Sequence, residues 1–187
     1  LSHDGEKFWL VYTDAKRLDG GFKDAHNYIT ACETIDGDWC DPWHMNSLGF
    51  DASLFHDADR RKWFLTALSH RGPGTGGNPA HASFEGIWLR QWTPTGGLVG
   101  PLERIWDGTY RGLLEAPHIF KRSGYYNLTT AKGGTGYVHA VSMARSRGLL
   151  VRMKVIPKNT SYAQQTRPSI RSNAPGMGNM LRHMMVS

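Results

Sequence analysis

One pattern recurs three times along the chain and limits the folds that are open to it: a polar turn that is followed by an aromatic-rich run. The runs read F-W-L-V-Y at 8–12, W-F-L-T-A at 63–67 and Y-Y-N-L-T at 125–129. Clusters of Asp, Gly, Ser and charged residues that precede aromatic and β-branched runs are typical of β-hairpins. The pattern therefore predicts an all-β protein assembled from repeated hairpins.

A second strand is predicted after each of these runs, and the whole unit repeats at a regular interval. The equivalent residues Leu10, Leu65 and Leu128 are separated by 55 and 63 residues. A recurrence of about 50 residues that holds several short strands is typical of a β-propeller, with one blade in each recurrence. An ordinary β-sandwich with similar hairpins is the alternative. The second strands are N-Y-I-T-A at 27–31, G-I-W-L-R-Q-W at 86–92 and H-A-V-S-M at 139–143.

The positive charge of the chain is confined to its end. The formal net charge is +6, yet residues 147–187 hold seven Lys and Arg and no Asp or Glu, whereas 1–146 hold 15 basic and 16 acidic residues. A nearly neutral body offers no electrostatic surface for a phosphate backbone, so no nucleic-acid partner is expected. The basic end could still contact an acidic partner. The chain has no apolar run of about 18 residues, so no membrane-spanning helix is predicted.

Composition also predicts a boundary near Arg147. All seven Trp precede residue 107, and five of the seven Met follow residue 152. The segment S-N-A-P-G-M-G-N at 172–179 indicates irregular coil. We therefore expect a folded domain over 1–147 and an aberrant or disordered basic tail over 148–187. Because the chain starts at Leu1 in the middle of a pattern, upstream sequence is expected to be missing, and the compartment is not predicted.

Two carboxylates stand among apolar residues and not in charged runs. Asp51 lies in G-F-D-A-S-L-F at 49–55, and Glu115 lies in L-L-E-A-P-H-I-F at 113–120. Burial in such surroundings raises the pKa of a carboxyl group. The two occupy matching places in the repeat, so both are expected to open toward one channel, although either alone could cap a turn. A pair of carboxylates across a pocket is what glycoside hydrolysis requires.

Several motifs in order resemble glycoside hydrolase family 43. They are F-D-A-S-L-F-H-D at 50–57, L-E-A-P-H-I-F-K-R-S-G-Y-Y at 114–126 and G-G-T-G-Y-V-H-A-V-S-M-A-R-S-R at 133–147. The similarity is to the branch of β-xylosidases and α-L-arabinofuranosidases and covers residues 1 to about 147. It implies a five-bladed β-propeller that hydrolyses β-1,4-xylosidic or α-L-arabinofuranosidic bonds of xylan and other hemicelluloses with inversion.

The resemblance also implies roles for individual residues. Glu115 matches the general acid, and Asp51 matches the carboxylate that sets the pKa of that acid and orients it. Thr135 belongs to the Gly-Gly-Thr segment that lines the sugar pocket, and Phe50 and His139 are further candidates for contact with the sugar. The expected substrate is a xylo-oligosaccharide or an arabinoxylan. No cofactor is required and no metal site is predicted, although calcium occupies the channel of some relatives.

The chain also departs from the family pattern at several places. The family's general base is an Asp in a P-D-P-type motif, and the chain has no such motif. The early candidates Asp4 and Asp14 fall in a hairpin turn and at a strand end. Ala116 replaces the usual Gly, and the later Gly-Pro-Tyr and Gly-His segments are missing. We therefore expect an incomplete propeller of about three blades that is inactive or unstable alone. A non-catalytic carbohydrate-binding propeller is the alternative.

Overall fold

The structure, a computed structural model, describes residues 1–17, 24–69, 84–109, 114–132 and 139–156. Within these ranges all regular structure is β-strand, which confirms the prediction of an all-β chain. No helix in the described part of the chain is long and apolar enough to cross a membrane. The strands are β1 Ser2–His3, β2 Phe8–Ala15, β3 Ala25–Cys32, β4 Trp43–Asn46, β5 Gly49–His56, β6 Lys62–Ser69, β7 Phe84–Thr93, β8 Gly97–Trp106, β9 Leu114–Arg122, β10 Tyr125–Lys132, β11 Ala140–Ser146 and β12 Lys154–Val155.

The twelve strands form three four-stranded antiparallel sheets, each from four consecutive strands. The orders are β1-β2-β3-β4, β5-β6-β7-β8 and β9-β10-β11-β12. The two middle strands of every sheet are the pair that the sequence predicts. The outer strands lack the aromatic pattern and were not predicted as separate strands. Asp51 and Glu115, expected at the entrance of a strand, lie within strands of their own, β5 and β9.

The second sheet lies between the other two and is apolar on both faces. Successive side chains of a strand point to opposite faces, so Phe64 packs with Trp9 and Ile29 of the first sheet. Its neighbour Leu65 packs with Leu128 of the third sheet. Both Phe64 and Leu65 are almost fully buried. Continuous apolar runs in this sheet therefore reflect burial from two sides.

Sheets that are adjacent in the chain are also adjacent in space. Strand β5 packs against β2 and β3 of the first sheet and against β9 of the third. The first strands of the three sheets, β1, β5 and β9, contribute residues to one shared cleft. This arrangement places the starts of β5 and β9, which carry Asp51 and Glu115, beside each other.

The beginning of the segment that was predicted to be a tail packs into the third sheet. Leu149 and Met153 are buried in the core between the second and third sheets. The Met153 amide donates a hydrogen bond of 2.8 Å to the Ile105 carbonyl, and Lys154–Val155 forms β12. Residues 157–187 lie outside the described residues.

Candidate functional site

A β-bulge displaces Asp51 from the ladder of β5. Phe50 pairs with Ala67 and Ser53 pairs with Leu65, so Asp51 and Ala52 together face one residue, Thr66. Asp51 has φ of 52°, a left-handed conformation that Asp tolerates better than most residues. The extra residue turns the carboxylate out of the ladder, and Asp51 is partly exposed and partly covered at this end of the sheet.

The same device recurs in β9 beside Glu115. Glu115 pairs with Ala131 and His118 pairs with Thr129, so Ala116 and Pro117 share one partner position. Ala116 has φ of 48°, which costs a non-glycine residue roughly 1–2 kcal/mol. This strain is the physical reason that a Gly would be usual there.

Superposing the two bulges corrects one expectation. The left-handed residue of β5 is Asp51 and that of β9 is Ala116, so Glu115 corresponds to Phe50. The two carboxylates therefore do not occupy matching positions in the repeat, and they are offset by one residue. They still meet, because the Ala116 amide donates a hydrogen bond to the Asp51 carboxylate.

The electrostatic surroundings of Asp51 and Glu115 affect the pKa values of the two groups differently. Burial raises the pKa of Glu115, the negative charge of Asp51 raises it further, and His139 partly offsets both. Burial also raises the pKa of Asp51, against the Ala116 amide and the His118 charge, which lower it. Glu115 is therefore the group that is better suited to hold a proton.

Two histidines complete the described cluster. Burial lowers the pKa of His118, the amino terminus lowers it further, and Asp51 partly offsets these effects. His139 is exposed and lies close enough to Glu115 for its charge to act there. Phe50 is half-buried next to Asp51 on β5. Thr135, the expected sugar contact, lies outside the described residues.

A cleft lined by described residues lies beyond the carboxylates. It has a volume of about 760 Å³ and is lined by parts of β1, β5 and β9, from Leu54 and His118 onward. Asp51 and Glu115 lie three residues earlier on their strands, or about 10 Å at 3.3 Å per residue. The segments 70–83, 110–113 and 133–138, which adjoin the strand ends near the carboxylates, are outside the described residues. The cleft therefore leads toward the pair without containing it.

The described side chains supply few of the ligands that calcium uses. No group of three or more His, Cys, Asp or Glu side chains in the described ranges is placed to hold a metal ion. Calcium prefers six to eight oxygen ligands, and Asp51 and Glu115 are the carboxylates of this cluster.

Sequence reasoning missed two polar residues that support the site. Ser53 donates its hydroxyl hydrogen bond to the Pro117 carbonyl across the two sheets. Asn27 is fully buried and donates to the Gly49 carbonyl, 3.0 Å away. Ser53 stands two residues after Asp51, a spacing that could have suggested a shared role. Nothing in the local sequence marks Asn27.

An all-β chain with two adjoining carboxylates, both with raised pKa values, has the groups that glycosidases use. Comparison with known proteins agrees with this class. The profile of "Glycosyl hydrolases family 43" matches residues 1–183, so the chain belongs to that family.

Individual relatives and solved structures are also similar to the chain and belong to the same class of protein. The chain is 48% identical to a xylosidase/arabinosidase 43B of Humicola insolens over 97% of this chain and 33% of that protein. It is 46% identical to a β-xylosidase of Bacillus subtilis strain 168 over 85% of this chain and 29% of that protein. The crystal structure of a xylan β-1,4-xylosidase from Bacillus halodurans C-125 matches with a TM-score of 0.76 and 43% identity, over 84% of this chain and 29% of that one. The chain spans about a third of the length of these relatives.

Proposed function

We propose that this chain carries the proton-donating side of an inverting glycosidase site. The substrates would be β-1,4-xylosidic or α-L-arabinofuranosidic bonds of xylo-oligosaccharides and arabinoxylan. The observation that carries the proposal is the contact between strands β5 and β9, where the charge of Asp51 acts on the half-buried Glu115 and raises its pKa. The relatives named for xylosidase and arabinosidase activity support this substrate class.

Glu115 acts as the general acid in this proposal. It gives its proton to the glycosidic oxygen as the bond from that oxygen to the anomeric carbon breaks. Asp51 stays ionised, and its negative charge helps to keep the proton on Glu115 until the substrate arrives. Phe50, His139 and Thr135 are proposed to contact the sugar, and no cofactor is needed.

Water must attack the anomeric carbon from the opposite face of the sugar, and inversion requires a base to take its proton. Among the described residues, Asp51 is the carboxylate whose charge acts on Glu115, and it lies on the acid's side of the pair. The base is therefore the component that we do not assign to any residue. Its loss would lower the rate by about 10²–10⁴-fold.

The three sheets are proposed to be blades of a five-bladed propeller. The support is that they stack in chain order and that the first strand of each contributes to one cleft. In a propeller the first strands of the blades surround the central channel. The cleft would then be part of that channel, and Asp51 and Glu115 would stand at its mouth.

The test uses an external nucleophile, which needs no base, because no residue has been assigned as the base. Phenyl β-D-xylopyranoside and phenyl α-L-arabinofuranoside are incubated with the chain, with and without azide, which attacks the anomeric carbon as the phenol leaves with the proton of Glu115. We expect azide to accelerate phenol release and to give the inverted glycosyl azide. Glu115→Gln should lower this rate by about 100-fold or more, whereas Glu33→Gln, at an exposed position, should not. Equal rates for the Glu115→Gln variant, a retained configuration, or no release with azide would contradict the proposal.

A further inference from the structure

Ser53 links the second and third sheets next to the carboxylate pair. It lies on β5, it is 6% exposed, and its hydroxyl donates a buried hydrogen bond to the carbonyl of Pro117 on β9. The two residues are 64 positions apart in the chain. The bond is therefore a tertiary contact between two sheets and not part of either strand ladder.

The backbone that receives this bond is poorly held by its own sheet. Ala116 and Pro117 form the bulge of β9, where the ladder to β10 is interrupted. Pro117 has no amide hydrogen, and Ala116 is in a left-handed conformation. A strained bulge persists only when its surroundings hold it in place. Here the surroundings are on the neighbouring sheet.

Strand β5 supplies complementary groups to both bulge residues. The Asp51 carboxylate accepts a hydrogen bond from the Ala116 amide, and the Ser53 hydroxyl donates to the Pro117 carbonyl. Two bonds of opposite polarity to consecutive residues fix both the position and the rotation of that stretch of backbone. Glu115 is the residue immediately before it.

We propose that Ser53 is a positioning residue, which holds Glu115 against Asp51 by clamping the β9 bulge to β5. Ser53 need not touch the substrate to do this, because it acts through the backbone that carries Glu115. The proposal rests on the proposed function only in naming Glu115 as the acid. The clamp itself is a property of the folded chain.

The proposal predicts a change in Glu115 that simple loss of stability would not produce. Burial and the Asp51 charge both raise the pKa of Glu115, and both weaken when the bulge loosens. Ser53→Ala should therefore lower the pKa of Glu115 toward its ordinary value in chains that are still folded. In the azide assay, kcat should fall about 10- to 100-fold with little change in KM, since misplacement by about 1 Å can cost that much.

The experiment titrates Glu115 in the folded 187-residue chain, labelled with carboxyl-¹³C glutamate and followed by NMR. The chain has only five Glu, and Glu115→Gln identifies the resonance. Ser53→Thr keeps a hydroxyl donor and should recover much of the raised pKa, whereas Ser53→Cys has a weaker thiol donor and should recover only part of it. Ser142→Ala is the matched control, because Ser142 is fully buried and its hydroxyl has no hydrogen-bond partner within the described part of the chain.

The outcomes separate this proposal from the proposed function. A lower Glu115 pKa in Ser53→Ala but not in Ser142→Ala supports the clamp, even if the chain hydrolyses nothing. An unchanged Glu115 pKa in folded Ser53→Ala overturns the clamp, even if the chain is active. If Ser53→Ala does not fold, the Ser53→Cys variant is used to test the clamp. Its thiol is a weaker donor, so the pKa of Glu115 in this variant should lie between its value in Ser53→Thr and its ordinary value. A Ser53→Cys pKa equal to that of the unsubstituted chain would overturn the clamp.

Discussion

At the residue scale, two left-handed residues determine how the candidate site is built. Asp51 suits its conformation, because a short polar side chain tolerates positive φ. Ala116 does not, and its strain is held by contacts with the adjacent sheet. The chemistry of Glu115 follows from its neighbours, because its raised pKa comes from burial and from the Asp51 charge. A side chain placed in this way carries a stability cost that can be measured.

The predicted cost of Glu115 depends on pH. The folded pKa of Glu115 is raised above its ordinary value of 4.5, so above pH 4.5 the folded state retains a proton that the unfolded state has lost. Stability from this group is therefore fully present below pH 4.5 and is lost as the pH rises through the folded pKa. Glu115→Gln has no charge to bury and should be more stable than the unsubstituted chain at pH 8.

Urea unfolding at pH 4 and pH 8 measures this effect. The advantage of Glu115→Gln should be larger at pH 8 than at pH 4. The exposed Glu33 provides the control, since Glu33→Gln should alter the free energy of unfolding by less than about 0.5 kcal/mol at either pH. The contrary result is a stability difference between Glu115→Gln and the unsubstituted chain that is less favourable to the variant at pH 8 than at pH 4. It would show that ionisation of Glu115 does not destabilise the folded chain.

At the scale of elements, aromatic hairpins could be predicted and their flanking strands could not. Strands β2, β6 and β10 carry apolar and aromatic runs, and each is an inner strand of its sheet. Strands β5 and β9 contain bulges, which break the alternation that strand prediction relies on. Their pairing with β6 and β10, and hence the one-residue offset between Asp51 and Glu115, is set by the positions of these bulges. The hydrogen bond that joins the two bulged strands links residues 64 positions apart in the chain. Local patterns do not encode such contacts.

Substitution of Asn27 tests how the start of β5 is held against the first sheet. Its amide nitrogen donates to Asn46 and to the Gly49 carbonyl, each at 3.0 Å, and its oxygen accepts from Thr13 at 2.7 Å. Asn27→Ala would remove a hydrogen bond from each of three half-buried partners, of which the Asn46 oxygen still accepts from the Leu48 amide. Because each such loss costs about 1–3 kcal/mol before relaxation, we expect a fall of about 2–4 kcal/mol in the free energy of unfolding.

Equilibrium unfolding in urea gives this number, and Asn127→Ala is the matched control. Asn127 is also buried, but the structure gives its side chain one hydrogen bond, to the Tyr125 carbonyl. Its substitution should cost about 1 kcal/mol. Equal losses for the two variants would mean that the Asn27 network does not hold β5.

At the scale of the molecule, neighbouring sheets are linked by the same kind of polar contact at their hairpin turns. Asp4, in the turn after β1, accepts a bond of 2.9 Å from Lys62 of the second sheet. Asp57, in the turn after β5, accepts one of 3.0 Å from Tyr126 of the third sheet. A turn aspartate of one sheet is thus paired with a donor of the next. Each of these contacts joins two sheets that are consecutive in the chain.

Lys62→Met tests the first of these links while keeping the apolar stem. Burial raises the pKa of Asp4, but bonds from Lys62, two backbone amides and the Trp9 indole outweigh it and hold the pKa well below its usual 3.8. The resulting stabilisation is present above pH 3.8 and is lost as the pH falls through the lower, folded pKa. We expect Lys62→Met to lower stability by about 1–3 kcal/mol at pH 7 and by less at pH 3.

Thermal and urea unfolding at both pH values provide the measurement. Lys7→Met is the control, since Lys7 lies 4.0 Å from Glu33 and both are exposed, a geometry worth under about 1 kcal/mol. An effect of Lys62→Met that is no larger than that of Lys7→Met would remove this link from the account of how the sheets are held.

The sequence alone determined that the chain is all-β, where its central hairpins lie and to which family it is similar, and it supplied the two carboxylates that we propose for the site. These properties depend on residues that are close together in the sequence: alternating side chains, turn residues and short motifs. Only the tertiary structure decided that Asp51 and Glu115 are offset by one residue, that Ser53 and Asn27 support them, and that residues 148–156 complete the third sheet. The reason is that bulges, buried hydrogen bonds and sheet stacking depend on which distant segments meet, and that is settled by the packing of the whole chain.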